Sequence, residues 1–269
     1  MKKLDASTKT AKVYEGLTTY QKSAIKERLK IEWIYTSNAL EGNTVSLGDT
    51  SFIIEEGLTV SGVTLKEHEE VVGHARAIDI VYELLSKDEI EEEDLYRLHK
   101  AVQTSLVVDS ECPLGTYKVE VNGRYINIDG KTEHKYYPHP RDMIHLMGLW
   151  FDEFRDMSSQ KISLEESIKR YTRCHVGFTS IHPFFDGNGR LARLLANITM
   201  LKNGYLPLIV DNKKRKKYIE LLSMYNLNSS QLDKKSKEII EENEYFESLY
   251  DFFRGEYQNS QALLDEIKG

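Results

Sequence analysis

Apolar residues recur every three or four positions through most of this chain, and that period predicts helices. Between Tyr20 and Asn43, Ile25, Leu29, Trp33 and Leu40 share one helical face, and Gly42-Asn43 supplies a stop signal. From Thr64 to Ser86 the same spacing gathers Val71, Ala75, Ile78 and Tyr82. Residues 91–106, EEEDLYRLHKAVQTSL, open with acids where a helix dipole favours them. Further helices are expected over 140–157, 163–181, 190–202, 213–226 and 236–255.

One region breaks the period. Tyr117, Val119 and Val121 alternate, Asn122-Gly123 is a two-residue hairpin turn, and Ile126 and Ile128 alternate back on the same face. Asp129-Gly130 offers a second turn before Glu133-His-Lys-Tyr-Tyr. The expected fold is therefore mainly α, with a small hairpin of up to three strands inserted in a helical body.

Composition narrows the function. A chain of 269 residues can bury a sizeable core. Lys and Arg total 36 against 43 Asp and Glu, a net charge of −7, which disfavours nucleic acid and acidic membranes as partners. The basic run Lys213 to Lys217 has no interleaved aromatics and reads as a solvated helix start. Cys112 and Cys174 have no pairing or metal-ligand spacing, which fits a reducing compartment. The N-terminal stretch lacks the apolar run of a secretion signal, and no segment has the length to span a bilayer. A cytoplasmic location is expected.

The chemistry concentrates in residues 181–193, IHPFFDGNGRLAR. From Arg190 onward, Leu191, Leu194, Leu195 and Ile198 form a helical stripe, so Gly187-Asn188-Gly189 is the turn that leads into a helix. A helix start presents unpaired N–H groups and partial positive charge, and glycines let that backbone approach an anion. Arg190 and Arg193, three apart, can lean toward the same anion with planar, bidentate donors. Asp186 is a hard carboxylate of the kind Mg²⁺ on a nucleotide requires. His182 titrates near neutrality when unperturbed and can take a proton from a hydroxyl. Together these groups describe a phosphate-transfer site. Two other patterns carry no such reading. His68 to His74 places Val72 where a second zinc-binding histidine would stand, and His175 reads as a packed core histidine.

His182-Pro-Phe184-Phe-Asp186-Gly187-Asn188-Gly189-Arg190-Leu-Ala-Arg193 resembles the Fic-family signature HxFx(D/E)GNGRxxR at every defined position. That resemblance implies a helical bundle with a β-hairpin flap near the active site. It also implies transfer of AMP from ATP to a hydroxyl side chain of a protein. His182 would deprotonate a Ser, Thr or Tyr hydroxyl, and Asp186 would hold Mg²⁺. Phe184 falls within the phosphate-binding motif. Gly187, Asn188, Gly189 and Arg190 would hold the α- and β-phosphates, and Arg193 would reach the γ-phosphate. A branch acting as a kinase carries lysine in place of Gly189, and this chain departs from it.

Upstream, Ser37-Asn-Ala-Leu-Glu41-Gly42 resembles the family's inhibitory motif, (S/T)xxxE(G/N). Glu41 stands at a predicted helix end, where an anion opposes the dipole unless a cation answers it. The resemblance pairs Glu41 with Arg193, sets Ser37 near Asn188, and makes the enzyme autoinhibited. The hairpin resembles the family's target flap, with Lys135, Tyr136 and Tyr137 nearest the site, and Tyr218 and Asn226 resemble residues flanking the adenine.

The division implied is 1–90 for an N-terminal inhibitory region, 91–227 for the catalytic core and 228–269 for a helical extension. Self-modification and a homodimer fit the same reading. Three alternatives stand beside it: transfer of another phosphate-linked group, removal of AMP from modified proteins, or a non-catalytic nucleotide-sensing module.

Overall fold

The helices begin where the sequence supplies caps. Thr18 accepts from the Gln21 N–H, and the Gln21 side chain answers at the Thr18 backbone, which starts α1 (Thr19–Leu40). Thr64 and Glu67 repeat that box at the head of α3 (Leu65–Leu84). This computed structural model describes residues 12–103, 113–128, 131–157 and 162–268. Its other elements are α2 (Leu47–Glu56), α4 (Glu92–Val102), β1 (Gly123–Ile128), β2 (Lys131–Tyr136), α5 (Met143–Met157), α6 (Leu164–Ile181), α7 (Asn188–Lys202), α8 (Arg215–Leu227) and α9 (Glu244–Lys268). The mainly α fold with a small hairpin is borne out.

The sequence also says which helix is central. On α7 the leucine stripe is joined by Ala192, Ala196, Asn197, Thr199 and Met200, all fully buried. A helix enclosed on all sides belongs in the middle of a bundle. It packs along α6, with α1, α3 and α4 also against it. Helix α5 lies on α6, while α9 joins α1, α6 and α8. Trp33, Trp150, Tyr171, Phe178 and Phe253 fill the space between these layers. Each such side chain contributes about 1.5–3 kcal/mol by leaving water.

Three local expectations change. The strands pair Gly123 with Tyr136 and Ile128 with Lys131, so the chain reverses between Ile128 and Lys131. Asp129-Gly130, the second turn read from the sequence, lies outside the described residues. Residues 117–122 form no strand. The cause is Asn122, whose side chain donates to the carbonyls of Phe184 and Phe185 at 3.2 and 3.3 Å. Lys118 N–H likewise donates to the Pro183 carbonyl at 2.9 Å. The segment is bound to the loop after α6 instead of to a neighbouring strand.

Helix α9 starts at Glu244 and not near residue 236, because Asn243 accepts from the N–H groups of Tyr245 and Phe246. Ile239 and Ile240 are both buried although consecutive, which one helical face would not allow. Helix α2 is unanticipated; Ser46 caps its start and Gly57, at φ +68°, its end.

Candidate active site

Helix α6 ends at His182, whose φ of +53° makes it the non-glycine residue with positive φ among the described residues. A left-handed residue there turns the chain sharply out of α6 and into the loop before α7. Such a conformation costs about 1–2 kcal/mol, and an imidazole must be held in it by its surroundings. Tyr137 supplies the hold: its ring lies flat on the imidazole, centroids 3.6 Å apart and planes within 3°. Burial pushes the His182 pKa down to about 3; the charges of Lys118 and Arg124 add to that, and the Thr179 backbone opposes it. The imidazole is thus neutral at pH 7, as proton acceptance requires.

The loop is closed by Asn188. Its Oδ1 accepts from the Phe184 N–H at 2.9 Å and its Nδ2 donates to the Phe184 carbonyl at 2.8 Å. Phe184, expected among the phosphate-binding residues, is fully buried and stacks on His99 at 3.9 Å. Its side chain anchors the loop, and its own N–H and carbonyl are both taken by Asn188. Gly187 precedes α7 at φ +80°, a conformation that favours glycine. The first N–H groups of α7 have no carbonyl ahead of them in the helix, which makes this end receptive to anions.

Arg190 and Arg193 are both buried at the side of that helix start. Arg190 donates to Gln103 at 2.9 Å and lies 3.6 Å from Glu70. Arg193 donates to the Ser37 hydroxyl at 3.0 Å, the Ser37 carbonyl at 2.9 Å and the Glu41 carboxylate at 2.8 Å. Burial alone would lower the Arg193 pKa, but Glu41 and Tyr218 outweigh it and the group stays raised. The Arg193 side chain is 3% exposed and that of Glu41 42%. A Cβ placed on Gly189 would fall 2.5 Å from Glu41 Oε1, so the carboxylate rests against the first turn of α7 itself. Ser37 engages Arg193, whereas Asn188, the neighbour expected for it, spends its amide on Phe184. The Arg215 guanidinium donates to the Leu40 carbonyl at 2.7 Å, answering the negative end of α1. Gly42, at φ +100°, then turns the chain away.

No group of three or more His, Cys, Asp or Glu able to hold a metal occurs among the described residues. Asp186 alone still suits Mg²⁺ carried on phosphates. Its oxygens accept from the Gly187 N–H at 2.6 Å and from Gln103 at 3.0 Å. An ionised carboxylate has about four lone-pair sites, so acceptor capacity remains, and the residue is exposed.

Residues 89–200 match the sequence model of the Fic/DOC family. Protein adenylyltransferase fic-1 of Caenorhabditis briggsae is 32% identical over 199 residues, which are 72% of this chain and 36% of that protein. Protein adenylyltransferase Fic of Nematostella vectensis is 33% identical over 207 residues, 76% of this chain and 45% of its own. The chain carries a Fic/DOC-family domain. It spans less than half the length of these two relatives. In fold it is similar to a Fic domain containing signaling protein from Bacteroides thetaiotaomicron, with a TM-score of 0.80 at 22% identity over 95% of this chain and 92% of that one.

Around this Fic motif the structure gathers most, not all, of the expected residues. The hairpin stands beside the site: Lys135 donates to the Asn226 carbonyl, Tyr137 covers His182, and Tyr136 is 59% exposed. Asn226 accepts from the Ser180 hydroxyl at 2.9 Å, in a small pocket shared with Lys135 and Tyr137. Tyr218 is buried; its hydroxyl bonds His175 at 2.8 Å and Arg193 at 3.4 Å.

Sequence reasoning missed Lys118, His99 and Gln103. The Lys118 amine is buried, donates to Asn122 Oδ1 at 2.8 Å and lies 5.6 Å above the Tyr137 ring. Burial lowers its pKa to about 7. His99 and Gln103 stand one turn apart at the end of α4. For Gln103 the one signal was a polar residue straight after Val102, the last apolar position of the helix, and it is a weak one.

Proposed function

We propose that the protein is an autoinhibited adenylyltransferase that moves AMP from ATP to a hydroxyl side chain of a protein. The observation that carries this reading is the seating of an anion, Glu41, on Arg193 and against the start of α7, one loop away from a neutral His182. A site built to receive phosphate is already occupied by a carboxylate of its own chain.

In the reaction, the His182 imidazole accepts the proton of the target hydroxyl. The oxygen bonds the α-phosphorus, the bond from that phosphorus to its bridging oxygen breaks, and pyrophosphate leaves. An imidazole with a pKa of about 3 is a weak base; the negative triphosphate raises its basicity as it enters. The N–H groups at the head of α7 and the Arg190 guanidinium balance the phosphate charge. Asp186 would hold Mg²⁺, which would supply neutralisation of phosphate charge. Lys135, Tyr136 and Tyr137 flank the entry and present a strand edge to a target segment. Asn226 lies at the nucleoside end.

Glu41 and the γ-phosphate compete for Arg193. When ATP binds with Glu41 in place, the triphosphate takes a pose whose α-phosphorus is not in line with the hydroxyl. The test is incubation of Glu41→Gly with ATP, Mg²⁺ and lysate, followed by mass spectrometry. The expected result is proteins heavier by one AMP, absent from the Glu41→Gly/His182→Ala sample. Unmodified proteins throughout would overturn the reading. A cytoplasmic setting and a homodimer belong to the same proposal; among the described residues no helix is long and apolar enough to cross a membrane.

A further inference from the structure

Helix α4 touches the phosphate loop twice with its last turn, through residues outside the signature. His99 accepts the Gly115 N–H on Nδ1 at 2.8 Å, so the proton sits on Nε2, which donates to the Asp186 carbonyl at 3.3 Å. One turn on, Gln103 caps α4, its N–H bonded to the His99 carbonyl at 2.8 Å. Its side chain then spans two groups of opposite charge. Nε2 donates to Asp186 Oδ2 at 3.0 Å, and Oε1 accepts from Arg190 at 2.9 Å. The amide has one orientation here, because a carboxylate only accepts and a guanidinium only donates. The Val102 carbonyl, at the negative end of α4, adds a second acceptor for Arg190 at 3.4 Å.

We propose that Gln103 is a positioning residue that orients the Asp186 carboxylate toward a divalent cation, braced for that task by its bond to Arg190, which keeps the Val102 carbonyl and Glu70 as partners of its own. The inference rests on the phosphate-site reading of this loop. The residue type is what the position demands. A glutamate would set a like charge against Asp186. A lysine or arginine would neutralise Asp186 and repel Arg190. An apolar side chain would take one partner from each charge. A neutral amide of this length bonds both and leaves the Asp186 charge available to a cation. The other Asp186 oxygen is fixed by the Gly187 N–H at 2.6 Å, so the carboxylate plane is held from two sides.

The test uses Gln103→Leu, of similar volume, and Gln103→Ala, which relieves any crowding, both in the Glu41→Gly protein, with melting temperatures measured for each. ATP binding is followed by calorimetry in EDTA and over a Mg²⁺ series. Losing an outer partner of a metal-binding carboxylate typically weakens the metal about 10- to 100-fold. The expected result is a Mg²⁺ half-point raised at least about tenfold, with ATP affinity in EDTA within about twofold of the parent. Adding Asp186→Asn should remove the difference that Gln103→Leu makes.

A Mg²⁺ half-point unchanged in either folded variant would overturn the proposal. So would an equal loss of ATP affinity with and without Mg²⁺, which marks a loop that has merely collapsed. A Glu41→Gly protein that binds Mg·ATP but never transfers AMP overturns the proposed activity and leaves this inference standing. One that binds no nucleotide at all overturns both.

Discussion

The loop from His182 to Arg190 and the end of α1 both reach the start of α7, yet they are held in opposite ways. The loop is fixed from inside. Phe184 is buried, Asn188 closes the turn, Asn122 grips two of its carbonyls, and α4 holds Asp186 and Arg190. The α1 end is attached from outside. Its contact with α7 is made through Ser37 and through Glu41, and the Glu41 side chain is 42% exposed. Within that attachment the two residues differ again. Ser37 gives Arg193 two neutral acceptors, which orient it without cancelling its charge, whereas Glu41 cancels the charge. On the proposed reading, a loop fixed from inside is a cradle that stays assembled when Glu41 leaves. Arg193 would then keep the aim that Ser37 gives it and have its charge uncancelled.

The largest expected effect comes from the fixed side. His182→Ala in the Glu41→Gly background should lower transfer by roughly 10²–10⁴-fold, the usual contribution of a positioned base, with ATP binding retained. Comparable loss of binding would mean that His182 holds the cradle together and is not a base. Next comes the removable side. A hydrogen bond to a charged group contributes about 1.5–3 kcal/mol, so Glu41→Gly should raise Mg·ATP affinity and transfer by roughly 10- to 100-fold. Affinity equal to wild type would deny that Glu41 competes with phosphate.

Acid should weaken the fold through its buried histidines. Burial holds the pKa of His99 at about 4, His175 and His182 at about 3, and His74 well below its ordinary value. Each folded pKa lies below the unfolded one near 6.5. The unfolded chain therefore binds more protons between those values. The stability these groups contribute is complete above about pH 6.5 and lost as pH falls toward 4 and below. Urea midpoints should decline steadily from pH 7 to 4.5, and a flat series would show that the histidines are not held neutral by the fold. Smallest of all, Ser37→Ala in the Glu41→Gly background should weaken ATP binding by only about 2- to 10-fold, because it removes one neutral acceptor of the Arg193 guanidinium. A gain in affinity would make Ser37 part of the block, not of the aiming.

The cradle was legible in the sequence because its parts are local: twelve consecutive residues, 182–193, carry the turn, the helix start and both arginines. Glu41 was legible for a physical reason as well, since an acid at a helix end needs a cation, and Arg193 answers it at 2.8 Å. What stayed hidden depends on long-range contact. Gln103 and Asp186 are 83 residues apart, and nothing near Gln103 announces the carboxylate. Asn122 misled in the other direction. Beside Gly123 it has the look of a hairpin turn, but its amide is taken by Phe184 and Phe185 and the strands reverse further on. Tyr218 resembled a residue flanking the adenine; its contacts, a ring stacked on Phe252 and a hydroxyl bonded to Arg193, are long-range and were not legible. Side chains that a helix period marks as apolar-facing were read well; Glu41 apart, those whose polar ends find distant partners were not.

The most direct measurement gives the Glu41→Gly protein ATP labelled either on the α- or on the γ-phosphate. Competition between Glu41 and a triphosphate at an AMP-transferring site predicts protein-bound label from the α-position alone, stronger than in wild type and lost with His182→Ala. Label arriving from the γ-position, or equal labelling with and without Glu41, would contradict it.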